Sequence, residues 1–191
     1  MANELAGKKI AFLVANEGVE QVELERPWQA VEQAGGEPVL AAPEKGEVQA
    51  FNHLDKGDTF EATVPTSELR PEDFDGLVLP GGVANPDQLR QDGDAVSFVK
   101  KMFAAGKPAA VICHGPWTLV EADLVRDRTL TSWPSLRSDI SNAGGQWVDE
   151  EVAVCSNGPN TLVTSRKPDD LDAFCQKAVE LFAEKARSQA A

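Results

Sequence analysis

The chain has 191 residues, 42% of them hydrophobic and 26% charged, and its formal net charge at pH 7 is -13. This length and composition predict a single domain over residues 1–191, with a flexible tail at 185–191. The acidic balance repels a phosphate backbone and argues against a nucleic-acid partner, and no apolar stretch is long enough to cross a membrane.

Apolar runs alternate with helical patterns along the chain. Strands are predicted at residues 8–15, 38–42, 77–79 and 109–112, with residues 16–20 as a polar connection and helices at about 21–33, 94–105 and from 116 onward. Residues 48–64 predict a hairpin around Asp55–Asp58. Further strands are predicted at 129–131, 152–155 and 161–164, before a last helix from Leu171 to about Lys185. This alternation predicts an α/β fold with a doubly wound sheet.

Cys113 stands at the end of an apolar strand and just before a Gly-Pro pair. Because Pro is favoured in the first turn of a helix, the strand is expected to turn sharply into a helix with the cysteine at the bend. The positive end of that helix favours the thiolate, which is the reactive form. We therefore predict that Cys113 is a nucleophile, whereas Cys155 and Cys175 have structural roles. The wide spacing of the three cysteines fits a reducing, cytoplasmic location.

Candidate partners of Cys113 lie in loops at the carboxyl ends of the predicted strands, where sites form in such sheets. The adjacent His114 is expected to transfer protons, with Asp87 as the nearest loop acid to orient it. Glu20 fits a solvated helix N-terminus, but if it faces Cys113, burial would raise its pKa and let it donate to the thiolate. Gly82 fits a tight turn, or an oxyanion hole together with the His114 backbone N–H.

No cofactor or metal is predicted. The chain has no GxGxxG and no GxxxxGK[ST] sequence, which disfavours a bound dinucleotide or nucleoside triphosphate. Its two histidines, His53 and His114, do not have the spacing of metal ligands. His53 is expected at the surface of the hairpin.

Several segments, in this order, resemble the PfpI family. They are Ala15-Asn16, Glu20–Leu24, Leu77–Gly82, Ile112–Pro116, Asn142–Gly144, Trp147–Asp149, Val163–Arg166 and Pro168–Leu171. The resemblance extends from about Lys8 to Phe182 and implies a flavodoxin-like three-layer sandwich with a mainly parallel sheet, of the class I glutamine amidotransferase-like superfamily.

The resemblance also implies roles for individual residues. Cys113 would be the nucleophile on a strained elbow, hydrogen-bonded to Glu20, and Gly82 with the His114 amide would form the oxyanion hole. Asp87 of a neighbouring subunit would orient His114, which implies a homo-oligomer, a dimer or larger, with the active site near the subunit interface. Relative to the family pattern, Asp87 replaces a glutamate, and the loops at 16–20 and 82–86 are each one residue longer.

Members of the family are described as cysteine peptidases, cofactor-free glyoxalases, protein deglycases and stress proteins. We expect a stress-protective enzyme whose Cys113 attacks small reactive aldehydes such as methylglyoxal. The alternatives are an intracellular peptidase acting on peptide substrates and a non-enzymatic oxidation sensor in which Cys113 forms a sulfinic acid beside Glu20. A glutaminase is disfavoured because no histidine follows His114.

Overall fold

The computed structural model describes residues 3–184, so the tail predicted at 185–191 lies outside the described residues. The strands are β1 (Lys9–Leu13), β2 (Glu17–Glu20), β3 (Glu37–Ala42), β4 (Gly46–Asn52), β5 (Asp55–Ala62), β6 (Val64–Pro65), β7 (Gly76–Leu79), β8 (Ala109–Ile112), β9 (Thr129–Leu130), β10 (Gln146–Trp147), β11 (Val152–Cys155) and β12 (Leu162–Ser165). The helices are α1 (Gln21–Gln33), α2 (Ala84–Leu89), α3 (Gly93–Ala104), α4 (Pro116–Glu121), α5 (Arg137–Asn142) and α6 (Leu171–Ala183).

A seven-stranded sheet in the order β11-β12-β8-β7-β1-β3-β6 forms the middle layer. Neighbouring strands are parallel throughout, except that β11 runs antiparallel to β12. Alternating side chains of β1 enter two separate cores. Phe12 packs in the core that includes α1 and α6, and Leu13 packs in the core that includes α3 and α4. Helices on both faces of a mainly parallel sheet confirm the predicted α/β sandwich.

Most predicted elements are present, and three predictions about connections are wrong. Residues 17–20 are a strand, β2, which pairs with β4 of the hairpin beside the main sheet. The hairpin turns at His53 and Leu54, because Asn52 already pairs with Asp55. Residues 84–89 form α2 inside the predicted loop, and α5 was not predicted. Both helices are six residues long, which is too short to produce a helical period.

Strands β8, β7 and β1 are neighbours in the central sheet, and this order positions the site. Their carboxyl ends lead into Cys113, into the Pro80–Gly82 segment and into the segment before α1. The predicted site residues Glu20, Gly82 and Cys113 therefore lie together at one edge of the sheet, as ligand sites of such sheets do. Among the residues that the structure describes, no helix is long and apolar enough to cross a bilayer.

Candidate active site

Cys113 occupies a strained turn between β8 and α4. Its φ of 61° lies in the left-handed region, which a non-glycine residue adopts only at an energetic cost. Two backbone hydrogen bonds hold it there: its N–H donates to Ser165 O at 3.0 Å and its carbonyl accepts from Trp133 N at 2.9 Å. A Cβ on Gly115 would lie 2.7 Å from Leu79 O, so the turn also requires glycine two residues later.

The Cys113 side chain is buried, with 5% of its residue surface exposed. Burial is the largest influence on the thiol and raises its pKa, and the charge of Glu23 acts in the same direction. The neighbouring backbone N–H groups of Gly82 and His114 lower its pKa. Burial thus opposes the thiolate, whereas the two N–H donors at the bend favour it.

Glu23, rather than Glu20, supplies the carboxyl group beside the sulfur. Glu23 is fully buried, its Oε2 accepts a hydrogen bond from Gly81 N–H at 2.8 Å, and the neighbouring Cys113 thiol lowers its pKa. Burial raises the pKa of Glu23 to about 8, against the lowering effects of Gly81 and Cys113. Glu23 is therefore protonated at neutral pH and has the property that the sequence analysis assigned to Glu20.

Glu20 lines the same cavity but bonds elsewhere. Its Oε2 accepts from His53 N–H at 3.1 Å and lies 4.0 Å from His53 Nδ1. His53 is exposed at the hairpin turn as predicted, and it also lines the cavity, which was not predicted. A helical period would have identified Glu23, because it shares the buried face of α1 with Leu24, Pro27 and Val31.

His114 lies beside the sulfur between two tryptophans. Its Nδ1 is 3.2 Å from Cys113 Sγ, and its ring stacks on Trp133 at 5.7 Å and meets the edge of Trp117 at 5.2 Å. Burial lowers the pKa of His114 to about 4, so the imidazole is neutral at neutral pH. Asp87 is exposed on α2, and within residues 3–184 no hydrogen bond or ion pair joins it to His114. Its role through a second copy of the chain remains a prediction.

Gly82 has a φ of 83°, and a Cβ there would lie 2.2 Å from Gly18 O. Both the conformation and the space therefore require glycine. Its N–H and that of His114 converge on the Cys113 sulfur. Two convergent backbone donors beside a nucleophile are the arrangement that an oxyanion hole needs.

The cavity above the sulfur has a volume of about 160 Å³. Three of its lining residues expose large apolar side chains at the rim: Leu54 at 93%, Val83 at 59% and Trp133 at 39%. In the part of the chain that the structure describes, no group of three or more His, Cys, Asp or Glu side chains could hold a metal ion. The site thus presents a thiol, a carboxyl, an imidazole and two amide donors in a small, partly apolar space.

The model of the DJ-1/PfpI family matches residues 8–181. The chain belongs to the DJ-1/PfpI family. A protein of Pyrococcus horikoshii named as a deglycase is 42% identical over 174 residues, which cover 91% of this chain and 99% of that protein. The protein named Deglycase PfpI from Pyrococcus furiosus is 41% identical over 174 residues, with the same coverage of 91% and 99%.

Solved structures of the DJ-1/PfpI family share the fold. A two-domain protein of Anabaena variabilis, with DJ-1/ThiJ/PfpI-like and ferritin-like domains, has a TM-score of 0.84 and 30% identity. The match covers 96% of this chain and 52% of that one. DJ-1 of Schizosaccharomyces pombe has a TM-score of 0.78 at 22% identity, covering 93% of each chain. The resemblance drawn from the sequence motifs is confirmed for the family and for the flavodoxin-like fold.

Proposed function

We propose that this protein is a cofactor-free, stress-protective cysteine enzyme of the deglycase type, which acts on methylglyoxal and on its adducts with amines and thiols. The observation that carries the proposal is the buried pair of Cys113 and Glu23 under two convergent N–H donors. The names of relatives at 42% and 41% identity support it. The pair supplies a nucleophile and a proton carrier at the same carbon atom.

In the first step, Cys113 Sγ adds to the aldehyde carbon. The S–C bond forms as the thiol proton passes to Nδ1 of His114, which accepts it in the tautomer with hydrogen on Nε2. The π electrons of the C=O bond move to oxygen, where the N–H groups of Gly82 and His114 hold the developing charge. Glu23 then protonates this oxygen to give a hemithioacetal. An amine adduct has no C=O bond at this carbon, so Sγ displaces the amine instead. The S–C bond forms as the C–N bond breaks, the thiol proton passes to His114, and Glu23 gives its proton to the leaving nitrogen.

In the second step, the Glu23 carboxylate removes the hydrogen from the carbon that bears sulfur, which the neighbouring ketone makes acidic. The ketone oxygen takes the proton of His114, giving an enediol. Glu23 returns its proton to the former ketone carbon and accepts the proton of the other hydroxyl, which leaves a thioester of a 2-hydroxy acid. Water cleaves the C–S bond, releases the 2-hydroxy acid and restores the Cys113 thiol.

The size of the cavity favours a small substrate. Its volume of about 160 Å³ lies below that of sites for drug-sized ligands, which are roughly 300–1,000 Å³. A three-carbon aldehyde, or the modified end of a side chain, suits this space better than an extended polypeptide. The peptidase alternative also needs Asp87 of a second copy to orient His114, and it therefore depends on a homo-oligomer.

The proposal is tested by the turnover of methylglyoxal to a 2-hydroxy acid by the wild type and by Cys113→Ala. We expect turnover by the variant to fall to the uncatalysed background. Cys155→Ala and Cys175→Ala are matched controls, since both cysteines are buried away from the cavity and should leave turnover unchanged. Equal turnover by wild type and Cys113→Ala would overturn the proposal. Cleavage of unstructured peptides that depends on Cys113 would favour the peptidase instead.

A further inference from the structure

Asn85 connects the two loops that carry the active-site groups. Its side chain is fully buried, in the first turn of α2. Its Oδ1 accepts a hydrogen bond from Ala15 N–H at 2.7 Å, at the start of the segment that leads to Glu23. Its Nδ2 donates to Pro80 O at 3.0 Å and to Gly81 O at 2.9 Å. The side chain therefore uses both of its N–H bonds on consecutive carbonyl groups.

These two carbonyl groups belong to the peptide units whose N–H groups enter the site. A trans peptide unit is planar, so its C=O and its N–H point in opposite directions. With its carbonyl held by Asn85, the Pro80–Gly81 unit directs the Gly81 N–H to Glu23. The Gly81–Gly82 unit likewise directs the Gly82 N–H to the Cys113 sulfur. One amide side chain thus holds both peptide units by their carbonyl groups. Gly81 O also accepts from Glu20 N–H, at the longer distance of 3.4 Å.

We propose that Asn85 is the positioning residue of this site: it holds two consecutive peptide units so that Gly81 N–H faces Glu23 and Gly82 N–H faces Cys113. A clamp is needed here because glycine adopts several backbone conformations at little cost. If the Gly81–Gly82 unit rotated, its carbonyl oxygen would face the sulfur in place of the N–H. The sulfur would then lose a donor and gain a repulsive dipole.

The variant that tests this is Asn85→Asp, made in a Cys155→Ala/Cys175→Ala background. The introduced side chain keeps the shape of asparagine and can still accept from Ala15 N–H. As a carboxylate it has no hydrogen to offer to Pro80 O and Gly81 O, and as a neutral carboxyl it can donate to only one of them. Because Gly82 N–H lowers the pKa of the Cys113 thiol, we expect alkylation of Cys113 by iodoacetamide to rise at a higher pH in the variant. Removal of one oxyanion donor typically lowers kcat by about 10²–10³-fold, and we expect a loss of this order with little change in KM.

Asn160→Asp is the matched control. Asn160 is also buried, and its Nδ2 donates to Lys107 O at 2.7 Å, but it does not line the cavity. This variant should leave the pH dependence of alkylation and kcat unchanged. An unshifted alkylation profile in folded Asn85→Asp would overturn the proposal. Asn85→Ser is measured in the same assay, because it adds no negative charge near the sulfur and its hydroxyl can bond only one of the two carbonyls. It also decides the question if circular dichroism shows that Asn85→Asp does not fold. We expect a smaller shift in the same direction, and no shift would again overturn the proposal.

The kcat measurement rests on the proposed function, whereas the alkylation measurement does not. If the wild type fails to turn over methylglyoxal but Asn85→Asp still shifts the alkylation profile, the positioning role stands and the proposed function fails. If the wild type turns over methylglyoxal and neither Asn85 variant shifts the profile, the proposed function stands and the positioning role fails.

Discussion

Glu23 ionises near pH 8 in the folded protein, whereas its ordinary pKa is 4.5. The native state therefore binds this proton more tightly than the unfolded chain does. The stability that the folded protein gains from holding this proton is fully present below pH 4.5. It is lost as the pH rises to about 8. Glutamine cannot ionise and can keep the hydrogen bond from Gly81 N–H. We therefore expect Glu23→Gln to be more stable than the wild type, by an amount that grows across this pH range.

The size of the effect follows from the width of the pH range. Between the two pKa values, each rise of one pH unit lowers the free energy of unfolding of the wild type by about 1.4 kcal/mol. Between 4.5 and neutral pH, the cost of keeping Glu23 rather than glutamine is about 3 kcal/mol. For a chain of this length, 1 kcal/mol moves Tm by roughly 2–4 °C, which gives a rise of roughly 6–12 °C at neutral pH.

Thermal unfolding followed by circular dichroism at about pH 5, 7 and 8 measures this difference for the wild type and Glu23→Gln. Glu17→Gln is the control, because Glu17 is exposed on β2 and its charge should matter little at any pH. Turnover of methylglyoxal by Glu23→Gln should fall by about 10²–10⁴-fold, as expected when a proton carrier is removed. A Tm difference that stays constant with pH would refute the assignment of Glu23 as a buried, protonated carboxyl.

Three further outcomes are expected. Because burial holds the pKa of His114 at about 4, its ring resonances should stay constant in NMR spectra from neutral pH down to about pH 5, and titration near its ordinary value of 6.5 would contradict its burial. Gly82→Ala, whose Cβ would meet Gly18 O at 2.2 Å, should destabilise the protein by roughly 1–3 kcal/mol in urea unfolding and reduce turnover; an unchanged midpoint would contradict the close approach. Arg166→Ala leaves the buried Asp170 carboxylate without its guanidinium partner and should cost about 3–5 kcal/mol, whereas a loss below about 1 kcal/mol would show that water reaches Asp170.

The sequence predicts the parts of the site that depend on one strand and the turn after it. The apolar run before Cys113 and the Gly-Pro pair after it determine the elbow, which the structure has at a φ of 61°. The central strands and their alternation with helices also follow from local patterns, since buried parallel strands have near-continuous apolar runs. These features can be predicted without knowing which loops come together in the fold.

The choice between Glu20 and Glu23 depends on where β2 ends and α1 begins. A strand over residues 17–20 places Glu20 beside the hairpin, and the first turn of α1 then carries Glu23 to the buried face. The start of the helix at about residue 21 was predicted correctly, and its period places Glu23 on the buried face. Glu20 was preferred because residues 17–20 were predicted as a connection rather than a strand beside the hairpin. The role of Asn85 is hidden, because it rests on three hydrogen bonds to the backbone of two other loops. Every residue has a backbone carbonyl group, so the amino-acid sequence does not show which of these groups a side chain will bond.

The protonation of the pair also bears on the alternative of an oxidation sensor. Oxidation to a sulfinic acid proceeds through an exposed thiolate, so a redox-sensing cysteine has a low pKa and access to solvent. Cys113 has the opposite properties, since it is 5% exposed and burial raises the pKa of its thiol. Attack on a carbonyl does not need a standing thiolate, because the proton can pass to His114, 3.2 Å away, as the S–C bond forms. Peroxide titration with mass mapping separates the two, and we expect Cys113 to oxidise no faster than Cys175. Burial disfavours the charged forms of Cys113 and Glu23, and it thus supports the proposed enzyme over an oxidation sensor.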